Sequence, residues 1–177
     1  MADVLTVRTA TLADQPEVDS LLARSYPALL KADYAPSILV TAVPLIARAQ
    51  PRLLASGTYY VVEGAGAILG AGGWTAAAPG NGARTAATGH PGTGHQGTGH
   101  VRHVVTDHRR VRQGVGRALM AHVVLTARIA GVGRLECLST LTAVPFYAAL
   151  GFRTLGPATV PLRPGIVFPA VAMVRDL

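Results

Sequence analysis

The chain has 177 residues, half of them hydrophobic and 14% charged, which argues against a disordered chain and allows one domain with a sizeable core. Its net charge is +7, with Lys31 the only lysine among 16 basic residues, and such a balance points to an anionic partner. The single cysteine, Cys137, excludes an internal disulfide and a cysteine-rich zinc site, and no window holds the roughly 18 unbroken apolar residues of a membrane span.

In chain order, residues 1–10 lack a charged start followed by an apolar core, so no secretory signal is read there and a cytoplasmic location is expected. "VLTVRTA" (4–10) alternates and is β-branched, which predicts a strand. A helix follows, with Asp14 as its N-cap, Pro16 in its first turn, and Val18, Leu21 and Leu22 on one face. A second helical stretch covers about 36–49, interrupted near Pro44. Residues 58–76 read as two strands joined at Gly64 to Gly66. Residues 77–99 are Gly, Ala, Thr, Pro and His with little to bury, and are expected to form a loop insertion. "HVRHVVT" (100–106) is a strand, 114–130 a helix with Leu119, Val123, Val124 and Ala127 at helical spacing, and Gly131 and Gly133 end it. "RLECL" is a short strand, "TAVPFYAALGF" a short helix, and two further strands fit 152–160 and 166–175. The order β-α-α-β-β-loop-β-α-β-α-β-β predicts a mixed sheet with helices, as a single domain over 1–177.

"RRVRQGVGRALM" (109–120) carries the chemistry. A strand leads into Gly114-Val115-Gly116 and then into a helix. The first N–H groups of a helix lack internal partners and form the positive end of its dipole. Glycines let an anion come close to them, and Arg112 and Arg117 add charge, so the segment suits a phosphate or pyrophosphate. No G-x-x-x-x-G-K-[ST] is present, which excludes a P-loop. The GAGAILGAGG stretch lacks the G-x-G-x-x-G spacing of a Rossmann fingerprint.

The context of that segment resembles a known family. "VVTDHRRVRQGVGRAL" resembles the acetyl-CoA signature of the GCN5-related N-acetyltransferases (GNAT), [QR]-x-x-G-x-[GA] after the fourth strand. "STLTAVPFYAALGF" resembles the second signature, N-x-x-A-x-x-F-Y-x-x-x-G-F, with Ala143, Phe146, Tyr147, Gly151 and Phe152 matching. Val111 stands where the family has Gln or Arg, and Thr140 where it often has Asn. The resemblance implies an α/β (α+β) fold, with a mixed, mostly antiparallel sheet of about seven strands flanked by about four helices. It implies acetyl-CoA as co-substrate and transfer of an acetyl group to a primary amine of a small molecule or peptide, directly within a ternary complex. By the same resemblance Arg112, Gln113, Gly114, Val115, Gly116 and Arg117 line the pyrophosphate. Val104, Val105 and Thr106 pair their backbone with the pantetheine arm like an added strand, and Thr140 offers a hydroxyl. "GGW" before the loop and "VRHVV" after it look like an uncharacterised bacterial subgroup, so the acceptor does not carry over.

Amine acetylation needs a proton removed from the amine and one supplied to the departing thiolate. Tyr147 sits where the family places its general acid. For the base, the nearby candidates are His103, His100, Asp107 and Glu63; His103 is preferred because imidazole titrates near neutrality. Strand alternation puts His103 and Val105 on one face and Arg102 and Val104 on the other. His90, His95 and His100 recur every five residues. No carboxylate or cysteine lies among them, so the tract reads as low complexity and no metal site is expected. The partners expected are acetyl-CoA and an amine acceptor, with no nucleic acid and no membrane; a homodimer is compatible with the sequence. The alternatives are a non-catalytic acyl-CoA-binding module on the same fold and a basic nucleic-acid-binding protein. The second would need a positive face separate from the cofactor groove.

Overall fold

The computed structural model describes residues 4–79, 84–85 and 97–177. Strand β1 (Thr6–Thr9) leads into helix α1 (Gln15–Leu30). Three short helices follow: α2 (Pro36–Thr41), α3 (Val43–Ile46) and α4 (Pro51–Leu54). Each has a proline in its first turn. Proline lacks the N–H that an interior position must donate, so it starts a helix well and stops the one before it. The single interrupted helix expected over 36–49 is therefore two helices, and α4, which the sequence pattern did not reveal, is a third. Strands β2 (Tyr59–Gly64) and β3 (Ala67–Thr75) form the expected hairpin. Then come β4 (Arg84–Thr85), β5 (Thr98–Thr106), α5 (Val115–Ile129), β6 (Arg134–Ser139), α6 (Val144–Ala149), β7 (Arg153–Arg163) and β8 (Ile166–Asp176).

Asp14 does not cap α1 through its side chain. Its carboxylate turns back to accept from the Thr11 N–H at 2.7 Å and from both terminal nitrogens of Arg8, closing a short 3₁₀ turn ahead of the helix. An arginine fork is a stronger partner for a carboxylate than one backbone amide. Strand β5 also begins two residues before the expected start. Thr98 and Gly99 pair with Arg134 and Leu135 of β6. A β-carbon on Gly99 would lie 2.9 Å from the Leu135 side chain, so that approach needs glycine.

The described strands form one sheet in the order β1-β2-β3-β5-β6-β8-β7-β4, a mixed and mostly antiparallel arrangement in which only β5 and β6 run parallel. Both faces are buried, so the central strands are apolar on both sides. Along β2, Tyr59 and Val61 enter the core beneath α1–α4, while Tyr60 and Val62 enter the core beneath α5 and α6. Val18, Leu21 and Leu22 of α1 are fully buried in the first core, as their spacing predicts.

Strand β5 holds the feature that shapes the site. It pairs with β6 only from Thr98 to His100, whereas its pairing with β3 continues to Thr106. Beyond His100, β5 stays with the first half of the sheet and β6 stays with β8, so the sheet splits. A bulge lies at the parting. Ala71 opposes Val105 and Gly73 opposes Arg102, leaving His103 and Val104 opposite Gly72 alone. His103 has φ +53°, a left-handed conformation that costs a non-glycine residue about 1 kcal/mol or more. The bulge corrects the simple alternation expected for this strand. Val101 and Val104, three apart, both pack in the α5 core, while His103 packs on Tyr26 of α1 on the other side. Three contacts fix it. The Tyr59 hydroxyl donates to the His103 carbonyl at 3.1 Å, the Tyr26 hydroxyl donates to the Val104 carbonyl at 3.1 Å, and His103 Nε2 bonds the Ile46 carbonyl at 2.6 Å.

The end of β5 is tied down by Asp107, whose side chain is 1% exposed. It accepts from Arg24 of α1 at 3.1 Å, and from the Arg109 backbone N–H and guanidinium, both at 2.9 Å. The guanidinium of Arg109 foremost, and then that of Arg24, hold its carboxyl well below the usual range.

Tyr59→Phe should lower unfolding stability by about 1–3 kcal/mol, because it strips the bulge carbonyl of its donor without opening a cavity; urea titration measures it. Asp107 and Asp14 have folded pKa values below their ordinary 3.8, Asp14 at about 2. Their stabilisation is therefore full above that ordinary value and lost as pH falls through the folded one. Denaturant stability followed from about pH 6 down to about pH 2 should fall below pH 4 in the native protein. Asp107→Asn should be less stable at the neutral end and show a shallower acid fall. An unchanged slope in that variant would remove Asp107 from the acid response.

Candidate functional site

Where β5 and β6 part, they leave a cleft of about 760 Å³, within the range of small-molecule and cofactor pockets. One wall is the edge of β5 at Val104, Val105 and Thr106; the opposite wall is the turn from β6 into α6, with Thr140, Phe146 and Tyr147. Tyr26, Leu29 and Leu30 of α1 close one end. The loop before α5 and the first turn of that helix close the other, with Arg110, Arg112, Gly114, Val115, Gly116 and Arg117.

That loop is built for close approach. Arg112 and Gly114 both have positive φ, +63° and +85°. Gly114 is the N-cap of α5, and no atom lies within 4 Å of where its β-carbon would stand, so its face is open. The N–H groups of Val115, Gly116 and Arg117 precede the first intrahelical bond, which runs from the Ala118 N–H to the Gly114 carbonyl. No acidic residue stands in the first turn. Gly116 serves differently: a β-carbon there would come within 3.0 Å of the Phe146 ring and 3.4 Å of Thr106. Its absence lets α5 sit against α6 and β5 at once. The loop therefore presents backbone donors and the guanidinium groups of Arg112 and Arg117 to one end of the cleft, an arrangement that fits a phosphate-bearing group.

Tyr147 is 5% exposed and packs edge-on between Phe146 and Phe152, with ring centroids 5.1 and 5.3 Å away. Its hydroxyl interacts with the Cys137 thiol on β6. Burial pushes both groups up, the thiol to about 12. The phenol stays protonated across the working range and so keeps a proton to donate. Thr140 accepts from the Ala143 N–H at 3.1 Å, so its hydroxyl caps the turn into α6 while it lines the cleft.

The sequence-predicted site residues thus converge in large part. Val104, Val105, Thr106, Arg112, Gly114, Val115, Gly116, Arg117, Thr140 and Tyr147 line one cleft. Gln113 is exposed, with its side-chain carbonyl accepting from Arg110 at 3.4 Å. His103 is not among the lining residues. Its Nδ1 is sealed from solvent and has no partner among the described residues, and burial lowers its pKa. The other base candidates are engaged: Asp107 by two arginines, Glu63 by Arg8 at 2.7 Å, and His100 by Glu136 at 3.6 Å. His90 and His95 lie outside the described residues, and no cluster of three potential metal ligands occurs among those described. No described helix is long and apolar enough to cross a membrane. Sequence reasoning missed Tyr26, which both lines the cleft and holds the bulge. Its only trace is a spacing of four from Leu22 and Leu30 on the buried stripe of α1.

Comparison with solved structures gives the same architecture. A GCN5-related N-acetyltransferase from Rhodopseudomonas palustris superposes with a TM-score of 0.75 at 16% identity, over 100% of this chain and 98% of that one. The PaiA N-acetyltransferase from Thermoplasma acidophilum, in complex with coenzyme A, gives 0.69 at 9% identity, over 98% and 99%. A histone acetyltransferase HPA2 and related acetyltransferase from Corynebacterium glutamicum gives 0.61 at 25% identity, over 99% and 97%. No curated protein matches by sequence. The family model described as acetyltransferase (GNAT) domain matches residues 82–170, half of the chain. That match spans both β5 and β6, the loop and helix between them, and α6 with Tyr147, the elements that build the cleft. The chain belongs to the GNAT acetyltransferase family.

Proposed function

We propose that the protein is an acetyl-CoA-dependent N-acetyltransferase acting on a primary amine by direct transfer. The observation that carries this reading is the edge of β5 from Val104 to Thr106, which no described strand pairs on the cleft side and where only the Val104 carbonyl is taken, by Tyr26, running between Tyr147 and the arginine-flanked start of α5. A strand edge inside a protein has backbone donors and acceptors that need partners, and an extended amide-bearing arm supplies them as an added strand would. The pantetheine of coenzyme A has that chemistry, and its pyrophosphate falls to the backbone N–H groups of Val115, Gly116 and Arg117 with Arg112 and Arg117 beside them. Gln113 borders that site from the solvent side. Thr140 shapes the opposite wall.

Bound acetyl-CoA supplies an acetyl group activated as a thioester. Transfer forms a C–N bond and breaks a C–S bond; the amine gives up a proton and the sulfur gains one. Tyr147 is the chain's donor to that sulfur. Burial beside the Cys137 thiol keeps its hydroxyl protonated. A phenol above its ordinary pKa of 10 is a weaker acid than a thiol, so its contribution is a hydrogen bond that strengthens as charge develops. His103 has less support as the base. Its sealed Nδ1 and its bond to Ile46 fit the task of holding the bulge, and the amine then loses its proton to water.

Acetyl-CoA should raise the melting temperature, since it binds only the folded protein. Gly114→Glu should abolish that rise by placing a negative charge on the open face of the loop. Gly114→Ala should retain it from a lower starting temperature, because only the positive φ is strained. Equal shifts in the glutamate variant and the native protein would refute this use of the loop. Tyr147→Phe should lower kcat by about 10²-fold while leaving acetyl-CoA affinity unchanged, as expected for a contribution made in the transition state. Free-thiol release with an acceptor for which chemistry limits turnover checks it.

A further inference from the structure

Arg102 lies on β5 one residue before the bulge and two after His100, the last residue paired with β6. It therefore stands at the apex of the split. Its side chain is on the face away from α5. Trp74 and Val101 pack in the α5 core, whereas Arg102 reaches across to Thr75 of β3, its Nη1 donating to Thr75 Oγ1 at 3.1 Å. It is half-buried, and its charge is felt by His100 and His103, which burial keeps toward neutral.

No carboxylate pairs with Arg102 among the described residues. Of the chain's nine acidic residues, only Asp3 lies outside them. The other eight are bonded elsewhere; even Glu136, on the neighbouring strand, pairs with His100. Residues 80–83 and 86–96, which also lie outside, contain no Asp or Glu. By contrast Arg8, Arg24, Arg109 and Arg134 each hold a carboxylate. Among the described residues this half-buried guanidinium has a single hydroxyl partner and no counter-charge, an unfavourable state that an anion would relieve.

We propose that Arg102 binds a carboxylate of the acceptor, so that the substrate class is an amine that also bears a carboxylate, such as an amino acid or a short peptide. The inference rests on the transferase reading above. An arm running along Val104 to Thr106 from the α5 end carries its reacting group toward the apex. The acceptor amine must meet it there, near Arg102, which stands half-buried two residues before Val104, just outside the set of residues that line the cleft. Guanidinium is the side chain suited to a planar carboxylate, with two parallel N–H donors. With Nη1 on Thr75, its remaining N–H groups are available to an incoming anion.

The test is thiol release from acetyl-CoA with paired acceptors that differ only in charge: glycine and glycinamide, β-alanine and β-alaninamide, γ-aminobutyrate and its amide. The native protein should favour the carboxylate of at least one pair by about 10- to 100-fold in kcat/KM, the scale of a charge-assisted hydrogen bond. Arg102→Gln should bring that ratio to about one, and Arg102→Lys should keep part of it. Neither variant should alter the thermal shift given by acetyl-CoA, which separates acceptor binding from a general loss of fold. Turnover of amines with no preference for the carboxylate, or a preference that survives in Arg102→Gln, overturns the proposal and leaves the transferase reading standing. Should acetyl-CoA give neither thiol release nor a thermal shift, the transferase reading fails. Melting shifts from the same acceptors alone then decide: stabilisation by a carboxylate over its amide that vanishes in Arg102→Gln supports the Arg102 site, and its absence overturns it.

Discussion

The site depends on one strand being held apart from its neighbour. Two parallel strands placed side by side would pair along their length, since each unpaired buried N–H or C=O costs free energy. Here β5 and β6 pair over three residues and then part. The bulge at His103 turns β5 away, and it persists because Tyr59, Tyr26 and Ile46 each satisfy one of its polar groups from a different element. Those contacts come from β2, α1 and α3. The cleft is thus maintained by the whole first half of the chain, although most of its wall belongs to the second half.

The opposite end of the cleft depends on a missing side chain. Gly116 lets the first turn of α5 lie against Phe146 and Thr106, so helix start, strand end and α6 meet at one point. Gly114 contributes a positive φ and an open face. The two glycines of one short motif therefore act through different physics, one through packing and one through backbone conformation. Asp107 completes the loop by binding Arg24 and Arg109, which joins the end of β5 to α1.

The basic surplus sorts by the same logic. Arg8, Arg24, Arg109 and Arg134 serve the fold, each against a carboxylate. Arg112 and Arg117 line the cleft and have no carboxylate partner among the described residues, and Arg102 faces the other side of the split with a hydroxyl.

The sequence by itself determined the element order except for α4, the division of the 36–49 helix and β4 within the expected loop, together with both helical faces that bury, the strand-to-helix glycine turn and the pairing of that turn with the segment holding Tyr147. These are local: they follow from periodicity, from proline and glycine at element ends, and from motifs within a few residues. Tertiary structure decided the rest. Alternation along "VRHVV" could not reveal the bulge, because a left-handed His103 is stable only with donors from Tyr59 and Tyr26, distant in the chain. The sequence pattern makes Asp14 a helix cap, whereas in the fold Arg8 and the Thr11 N–H take its carboxylate. In the sequence Arg102 is one arginine among fifteen; that no described carboxylate pairs with it is set by the fold, which gives even Glu136 on the next strand to His100. Long-range hydrogen bonds and the absence of an ion pair leave no periodicity in a sequence, and in this protein they set the geometry of the cleft.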